Sequence, residues 1–243
     1  MQNTSFFLRQ VRALGATGHS WLRKACVAVI GLGGVGSHSA LLLAQSGVRE
    51  LRLVDRDLVE ESNLSRTCLF GGSDVGKPKA EAAATFLSRY FPHVEGIPLF
   101  AQFSSSTVRL LLEGVDLVLD CSDNHSTREA INEVCWQRSI PWVYAGAQGF
   151  RVMASAIVPR RTPCFACWSL PRTGESCSLV GVMNTAVAVA SSVQVQSAVD
   201  LISQGRSSLE KKLFFADLKK GVFVTKPLSN NLSCAVCGIK RIT

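Results

Sequence analysis

The sequence is most constrained by a run of glycines that directly follows a short apolar segment. Residues 26–30, CVAVI, have the composition of a buried strand, and GLGGVG follows at residues 31–36. A GxGxxG run between a strand and a helix permits a tight turn and lets backbone N–H groups approach a phosphate. Glycines that serve only helix–strand packing would give the same pattern. We predict a nucleotide site that uses Gly31, Gly33, Gly34 and Gly36.

The pattern after the glycines alternates strands and helices, which is typical of βαβ units. A helix is predicted over 34–47, a strand over 50–55, and further helices and strands alternate up to a strand at 141–147. Asp55 ends the second strand about 20 residues after the glycines, where a carboxylate can accept hydrogen bonds from ribose hydroxyls. These features predict an α/β fold, a Rossmann-like doubly wound mixed sheet, with its nucleotide-binding part at about 25–147.

The pattern changes after residue 148, although one domain is expected over 1–243. GFRVMASAIVP and KKLFFADLKKGVFVTKP are predicted hairpin strands, so 148–243 is expected to be a β-rich C-terminal part. The apolar segment 180–202 has the length of a membrane span, but polar residues interrupt it repeatedly. We therefore expect a buried or dimer-facing helix there and no membrane partner.

Four of the nine cysteines form two CxxC pairs, Cys164 with Cys167 and Cys234 with Cys237. Four thiolates suit a tetrahedral Zn²⁺ site that serves structure. A redox role is the alternative, but neither pair is predicted to open a helix after a strand. The odd cysteine count and the absence of a secretory signal indicate a reducing compartment, so a cytoplasmic location is expected. We predict a zinc site that staples the hairpin region to the C-terminal segment.

Polar residues after the second and fourth predicted strands suggest the chemistry. Asn63, Arg66 and Lys79 follow the second strand, and nucleotidyl transfer benefits from Arg and Lys beside the phosphates. Solvated surface cations are the alternative for Arg66 and Lys79. Asp123 follows a predicted central strand, where open α/β sheets bind ligands and a carboxylate can hold Mg²⁺. A helix N-cap is the alternative for Asp123, because a helix is predicted from Asn124.

The net charge of the chain limits the classes of partner that it can bind. The formal net charge is +8, which suits either nucleic acid or an enzyme whose substrates are a polyphosphate and an acidic partner. No run of five or more like charges occurs, and aromatic residues make up only 7% of the chain, so a nucleic-acid surface is the weaker interpretation. No nucleic-acid partner is expected.

Three segments in this order resemble one family: GLGGVGSHSALLLAQSGVRELRLVDRDLVEESNLSR, VGKPKAEAA and VDLVLDCSDNHSTR. They are similar to the ubiquitin-activating-like adenylyltransferases, and above all to the bacterial molybdopterin-synthase and thiamin-synthesis adenylyltransferases, the MoeB/ThiF family. The resemblance runs from about residue 7 to the C-terminus. It implies an enzyme that uses ATP and Mg²⁺ to adenylate the C-terminal carboxylate of a small ubiquitin-like sulfur-carrier protein ending in Gly-Gly, releasing pyrophosphate.

The resemblance also implies roles for the residues around the nucleotide. Asp55 would bind the ribose, and Gly33 to Gly36 would bind the phosphates. Arg66 and Lys79 would neutralise the phosphates in the transition state. Asp123 would be the essential acidic residue near the metal and the α-phosphate.

Three further residues are assigned only by the resemblance. Asn63 falls on the family's Asn in the same loop. Arg9, in FFLRQVRALG, falls on an Arg that reaches across a homodimer into the second ATP site, so a homodimer is implied. Cys177 stands where relatives carry a Cys that can form a persulfide or acyl link, although the residues after it depart from the family's Glu-Ala-Gly run. Any sulfur would have to come from a separate sulfurtransferase.

Other functions remain open at this stage. The departure over 178–197 allows an adenylating enzyme that acts on a ribosomally made peptide in natural-product biosynthesis. An NAD-dependent oxidoreductase would share the glycine run but would leave Arg66, Lys79 and Asp123 without a role. A catalytically silent scaffold would still form a dimer and bind zinc.

Overall fold

The computed structural model describes residues 6–104, 107–168 and 181–238. Its first part comprises the helices and strands α1 (Leu8–Leu14), α2 (Ala16–Leu22), β1 (Cys26–Ile30), α3 (Gly34–Ser46), β2 (Glu50–Asp55), α4 (Lys79–Tyr90), β3 (Glu95–Phe100), α5 (Val108–Leu112), β4 (Leu117–Asp120), α6 (His125–Arg138) and β5 (Trp142–Gln148). The rest comprises β6 (Arg151–Ile157), α7 (Asn184–Gln204), β7 (Lys212–Asp217) and β8 (Val222–Pro227). Short 3₁₀ turns occur at Glu61–Asn63, Gly72–Asp74 and Phe165–Cys167.

The eight strands form one sheet in the order β3-β2-β1-β4-β5-β6-β7-β8. The first five strands in that order are parallel, and β5 to β8 are antiparallel. The predicted Rossmann-like mixed sheet is confirmed, and the β-rich part extends that same sheet. The strand order switches direction between β1 and β4, which is where open α/β sheets bind ligands.

Helices cover both faces of the parallel strands, and this explains the apolar run that precedes the glycines. All five residues of β1 are buried. Leu43 of α3 and Leu87 of α4 belong to the core on one face, whereas Leu111 of α5 and Ile131 of α6 belong to the core on the other. A strand buried on both faces gives a continuous apolar run instead of an alternating pattern.

The long apolar helix α7 packs against α3, β5 and β6. It is long and apolar enough to cross a membrane, but half of that stretch is buried inside the structure. Gln194 is fully buried, and its amide donates to the carbonyls of Asp120 (2.8 Å) and Val143 (2.9 Å) while its Oε1 accepts from Ser39 Oγ (2.8 Å). Gln194, one of the polar residues that interrupt the apolar segment, therefore attaches the helix to the sheet, as expected for a buried helix.

Candidate active site

A cavity of about 340 Å³ lies at the carboxyl ends of β1, β2 and β4, beside the switch in strand order. This volume is in the range of small-molecule sites, which is about 300–1,000 Å³. Eight residues predicted from the sequence line the cavity: Gly31, Gly33, Gly34, Asp55, Asn63, Arg66, Lys79 and Asp123. The fold thus gathers residues from the end of β2 and from the three segments that follow β1, β2 and β4 around one space.

Gly36 is not among the residues that line this cavity, and its predicted contact with phosphate stays a prediction. A Cβ at Gly36 would lie 1.8 Å from the carbonyl oxygen of Gly31. Gly31 itself has φ +91°, a conformation that favours glycine, and packs against the backbone of Cys121. Gly36 is therefore required where the start of α3 packs against the glycine loop. A sequence motif alone does not separate a packing glycine from a phosphate-binding one.

Alanine variants of Gly36 and Gly33 are expected to separate packing from binding. Gly36→Ala forces a backbone shift, and overpacking of this kind costs about 2–3 kcal/mol of unfolding free energy. A Cβ at Gly33 meets no heavy atom within 4 Å, so Gly33→Ala is expected to keep its thermal midpoint but to gain less stability from ATP. Thermal unfolding with and without ATP measures both effects. Equal losses of stability in the two variants would contradict this prediction.

Asp55 lies on the cavity wall and also holds the glycine loop. Its Oδ2 accepts from the Leu32 N–H at 2.6 Å, and its Oδ1 accepts from the Asp57 N–H at 2.8 Å. Burial raises the pKa of Asp55, and the nearby Lys79 ammonium partly opposes that rise. Folding raises the pKa of Asp55, so the protonated carboxyl stabilises the folded state. This stabilisation is lost as the pH rises through the folded-state pKa.

Lys79 is a buried cation on the cavity wall. It begins α4 directly after Pro78, and only 9% of its side chain is exposed. Its Nζ lies 3.2 Å from Oδ2 of Asp57, whose side chain is 56% exposed. The backbone N–H of Lys79 also donates to the Asp57 carbonyl at 3.0 Å, which joins the loop after β2 to α4. Lys79 is therefore not a solvated surface cation.

Asn63 and Arg66 lie on one turn that faces the cavity. Asn63 is buried, and its Oδ1 accepts from the Glu60 N–H at 3.3 Å, which closes the 3₁₀ turn. Arg66 is half-buried, and its Nη1 donates to the Ser62 carbonyl at 2.7 Å. Asn63 thus fixes the turn that carries the guanidinium of Arg66.

Asp123 lies just beyond β4, is exposed, and lines the cavity. The N-cap of α6 is Asn124, whose Oδ1 accepts from the Thr127 N–H at 2.9 Å. The N-cap alternative for Asp123 was therefore wrong. A carboxylate is a hard oxygen ligand that fits Mg²⁺, which usually joins one or two protein carboxylates to phosphates.

The sequence interpretation missed several residues on the wall, among them Arg56, Asp57, Gln102 and Arg128. Arg56 Nη1 donates to Gln102 Oε1 at 3.1 Å, across the ends of β2 and β3. Arg128 comes from the first turn of α6. The sequence signal for Arg128 was its position one turn after the Asn124 N-cap. A side chain in the first turn of α6 lies close to the end of β4, which precedes the helix.

Two predicted site residues are not found at this cavity. Arg9 is exposed on α1 and does not line the cavity of its own chain. Gln10 attaches α1 to the far end of α3 by donating to the Gln45 carbonyl at 3.0 Å, and a helix of 13 residues spans about 20 Å. The action of Arg9 in a second copy stays a prediction. Cys177 lies outside the described residues.

The two CxxC pairs form one cluster. The four sulfur atoms lie within 4.8 Å of one another, with Cys164 and Cys234 at 3.6 Å and Cys167 and Cys237 at 3.2 Å. A tetrahedral Zn²⁺ with bonds of about 2.3 Å requires sulfur atoms about 3.8 Å apart. The four thiols therefore fit a closed zinc site. None of them lines the cavity, so a structural role fits better than a catalytic one.

The fold and the cavity define a Rossmann-like α/β protein with a ligand-sized cavity at the switch in strand order, and comparison with known proteins specifies the family. Residues 7–236 match the ThiF family model, so the chain belongs to the ThiF family, as the sequence motifs predicted.

Three curated relatives are similar over most of their length. The SAMP-activating enzyme E1 of Haloferax volcanii is 36% identical, over 93% of this chain and 84% of the relative. The molybdopterin-synthase adenylyltransferase of Salmonella typhimurium is 32% identical, over 94% and 93%. The sulfur carrier protein ThiS adenylyltransferase of Escherichia coli is 32% identical, over 91% and 89%. The chain is an adenylyltransferase, and these relatives give no support to the nicotinamide alternative.

The fold is also found among solved structures. The crystal structure of E. coli MccB with MccA-N7isoASN superimposes with a TM-score of 0.87 at 21% identity, over 98% of this chain and 75% of MccB. MccB in complex with ATP gives a TM-score of 0.84 at 22% identity, over 97% and 75%. At these identities the likeness shows the shared fold.

Proposed function

We propose that this adenylyltransferase activates the C-terminal carboxylate of a small ubiquitin-like sulfur-carrier protein ending in Gly-Gly. The main supporting observation is that one cavity gathers the glycine loop, the cations Arg66 and Lys79, and the carboxylate of Asp123. The sulfur-carrier substrate is favoured because relatives named for molybdopterin synthase and ThiS are 32% identical over most of the chain. ATP is the adenylyl donor in this proposal.

The arrangement suits attack by a carboxylate on a phosphate. An oxygen of the carrier's carboxylate attacks the α-phosphorus of ATP, and the bond from that phosphorus to the bridging oxygen breaks. The bridging oxygen leaves with the electron pair as part of pyrophosphate, and the carrier becomes an acyl-adenylate. Negative charge grows on the departing group, and the Arg66 and Lys79 cations would stabilise it.

The other residues on the wall bind and orient the nucleotide in this proposal. Gly33 and Gly34 admit the phosphates to the N-terminus of α3, and Asp55 orients the ribose. Asp123 would hold Mg²⁺, which when bound shields the phosphate charge and orients the pyrophosphate leaving group. The active form would be a cytoplasmic homodimer in which Arg9 acts in the cavity of the second copy. A separate sulfurtransferase would then supply sulfur to the adenylated carrier.

The test is ATP–pyrophosphate exchange by the purified protein with Mg²⁺ and a panel of small proteins ending in Gly-Gly from the same genome. Exchange is expected with one member of the panel. The matched control is that same carrier without its last two residues, which should give no exchange. Exchange only with short ribosomally made peptides would replace the carrier by a peptide substrate. Silence with every protein and peptide would reject carboxylate adenylation.

A further inference from the structure

Arg128 contacts Ser122, Asp120 and Tyr144 at the point where β4 leads into α6. Its Nη2 donates to the Ser122 carbonyl at 2.6 Å, and its Nε lies 3.5 Å from Oδ2 of Asp120. Its guanidinium lies over the Tyr144 ring, 5.1 Å from the ring centre. The side chain is only 18% exposed, and it forms part of the cavity wall. Arg128 therefore attaches the first turn of α6 to the backbone of Ser122, which directly precedes Asp123.

Asp120 completes this attachment from the strand side. Its side chain is fully buried, and its Oδ1 accepts from both the N–H (3.0 Å) and the Oγ (2.6 Å) of Ser122. A buried carboxylate is tolerated when a cation and hydrogen bonds compensate it, and Arg128 supplies the cation. Hydrogen bonds to Ser122 and an ion pair between Arg128 and Asp120 thus connect these three residues across the end of β4.

The network fixes one side of Asp123, and the helix cap fixes the other. Arg128 holds the carbonyl of Ser122, and Asn124 binds the Thr127 N–H with its side chain. Asp123 lies between these two fixed points and lines the cavity. The buried carboxylate of Asp120 is engaged by Ser122 and Arg128, whereas the exposed carboxylate of Asp123 accepts only one long hydrogen bond among the described residues, from Asn124 Nδ2 at 3.5 Å.

We propose that Arg128 is a positioning residue for Asp123. It holds the Ser122 carbonyl and the Asp120 carboxylate so that the Asp123 carboxylate stays where ATP and its metal ion bind. The identity of this ligand rests on the proposed function. Residues that orient a metal-binding carboxylate typically change metal affinity or activity by about 10–100-fold when they are replaced.

Arg128→Lys tests this role without leaving Asp120 as an uncompensated buried charge. The ammonium keeps the positive charge, but it lacks the planar fork that reaches both Ser122 and Asp120. We expect the Mg²⁺ concentration for half-maximal thermal stabilisation by ATP to rise about 10-fold or more. We expect the kcat of exchange to fall about 10–100-fold, with the KM for the protein substrate unchanged.

A double variant separates positioning from general stabilisation. If Arg128 acts through Asp123, Arg128→Lys should have little further effect on Mg²⁺ dependence or kcat in the Asp123→Asn background. Effects of the two substitutions that multiply would overturn the proposal. A merely structural contribution would appear equally in both backgrounds.

Arg52→Lys is the matched control. Arg52 is 17% exposed, pairs with Glu50 Oε1 through Nε at 3.3 Å, and donates to the Leu110 carbonyl at 2.8 Å, but it does not line the cavity. Its replacement should cost similar stability and leave the Mg²⁺ dependence unchanged. Identical behaviour of the two variants would overturn the positioning role. If no carrier supports exchange but only Arg128→Lys shifts the Mg²⁺ dependence of ATP stabilisation, the positioning role stands and only the substrate assignment fails.

Discussion

Lys79→Ala is expected to lower the rate of ATP–pyrophosphate exchange by on the order of 10³-fold, at the lower end of the effects known for cations at transferring phosphates. Lys79 lines the cavity, and its side chain is nearly buried, so water screens its charge weakly. In the proposed reaction this charge is most valuable when pyrophosphate departs. The loss should therefore fall mainly on kcat.

The fold should survive this substitution. The ion-pair partner of Lys79 is Asp57, which is 56% exposed. The buried Asp55 also loses a nearby cation, but it keeps its hydrogen bonds from the N–H groups of Leu32 and Asp57. Ion pairs with exposed partners contribute about 0–1 kcal/mol to the free energy of unfolding. Steady-state exchange kinetics and the thermal midpoint, measured on the same preparation, check the two halves of the prediction.

Lys77→Ala is the control for bulk positive charge. Lys77 is two residues away, pairs with Asp74 at 2.9 Å, and does not line the cavity. Replacement of Lys77 should leave the exchange rate within about 2-fold of that of the unchanged protein, because salt screens an exposed charge that lies outside the cavity. Similar rate losses in both variants would show that general charge, and not the position of Lys79, supports the reaction.

The sequence was sufficient to predict the elements that local patterns determine. The fully buried strand β1, the glycine turn and the helix α3 follow one another in a way that few folds allow. The sequence could not show which edge of the sheet the C-terminal hairpin joins, because an alternating pattern predicts a strand but not the strand with which it pairs. The pairing of β6 with both β5 and β7 is set by tertiary contacts.

In the candidate site, too, residues fixed by local patterns could be predicted and residues fixed by tertiary contacts could not. Asp55 and Lys79 could be predicted because each occupies a fixed place at the end of a strand or the start of a helix. Asp57 and Arg128 were missed, because their importance depends on contacts between segments that lie apart in the sequence. For Gly36 the sequence left packing and phosphate binding open, because the motif does not show that the Gly31 carbonyl lies where a Cβ of residue 36 would be.

Cys234→Ser is expected to abolish zinc binding and to lower the thermal midpoint by about 10 °C. The cluster joins Cys164 to Cys234 across a long loop, and by the loop-entropy estimate for a crosslink of about 70 residues it stabilises the fold by about 4 kcal/mol. For a protein of this size 1 kcal/mol corresponds to about 2–4 °C. Zinc content by atomic spectroscopy and thermal unfolding, before and after a strong chelator, give the measurement.

Cys68→Ala is the matched control for this prediction. Cys68 is half-buried and lies outside the four-sulfur cluster, so the variant should keep one zinc ion per chain and lose little stability. A chelator should lower the midpoint of Cys68→Ala as much as that of the unchanged protein, and should have no effect on Cys234→Ser. An unchanged midpoint in Cys234→Ser would mean that the cluster does not hold the C-terminal segment to the 3₁₀ turn at Phe165–Cys167. Because none of the four cysteines lines the cavity, the proposed role also requires that Cys234→Ser retains ATP stabilisation at temperatures below its own midpoint.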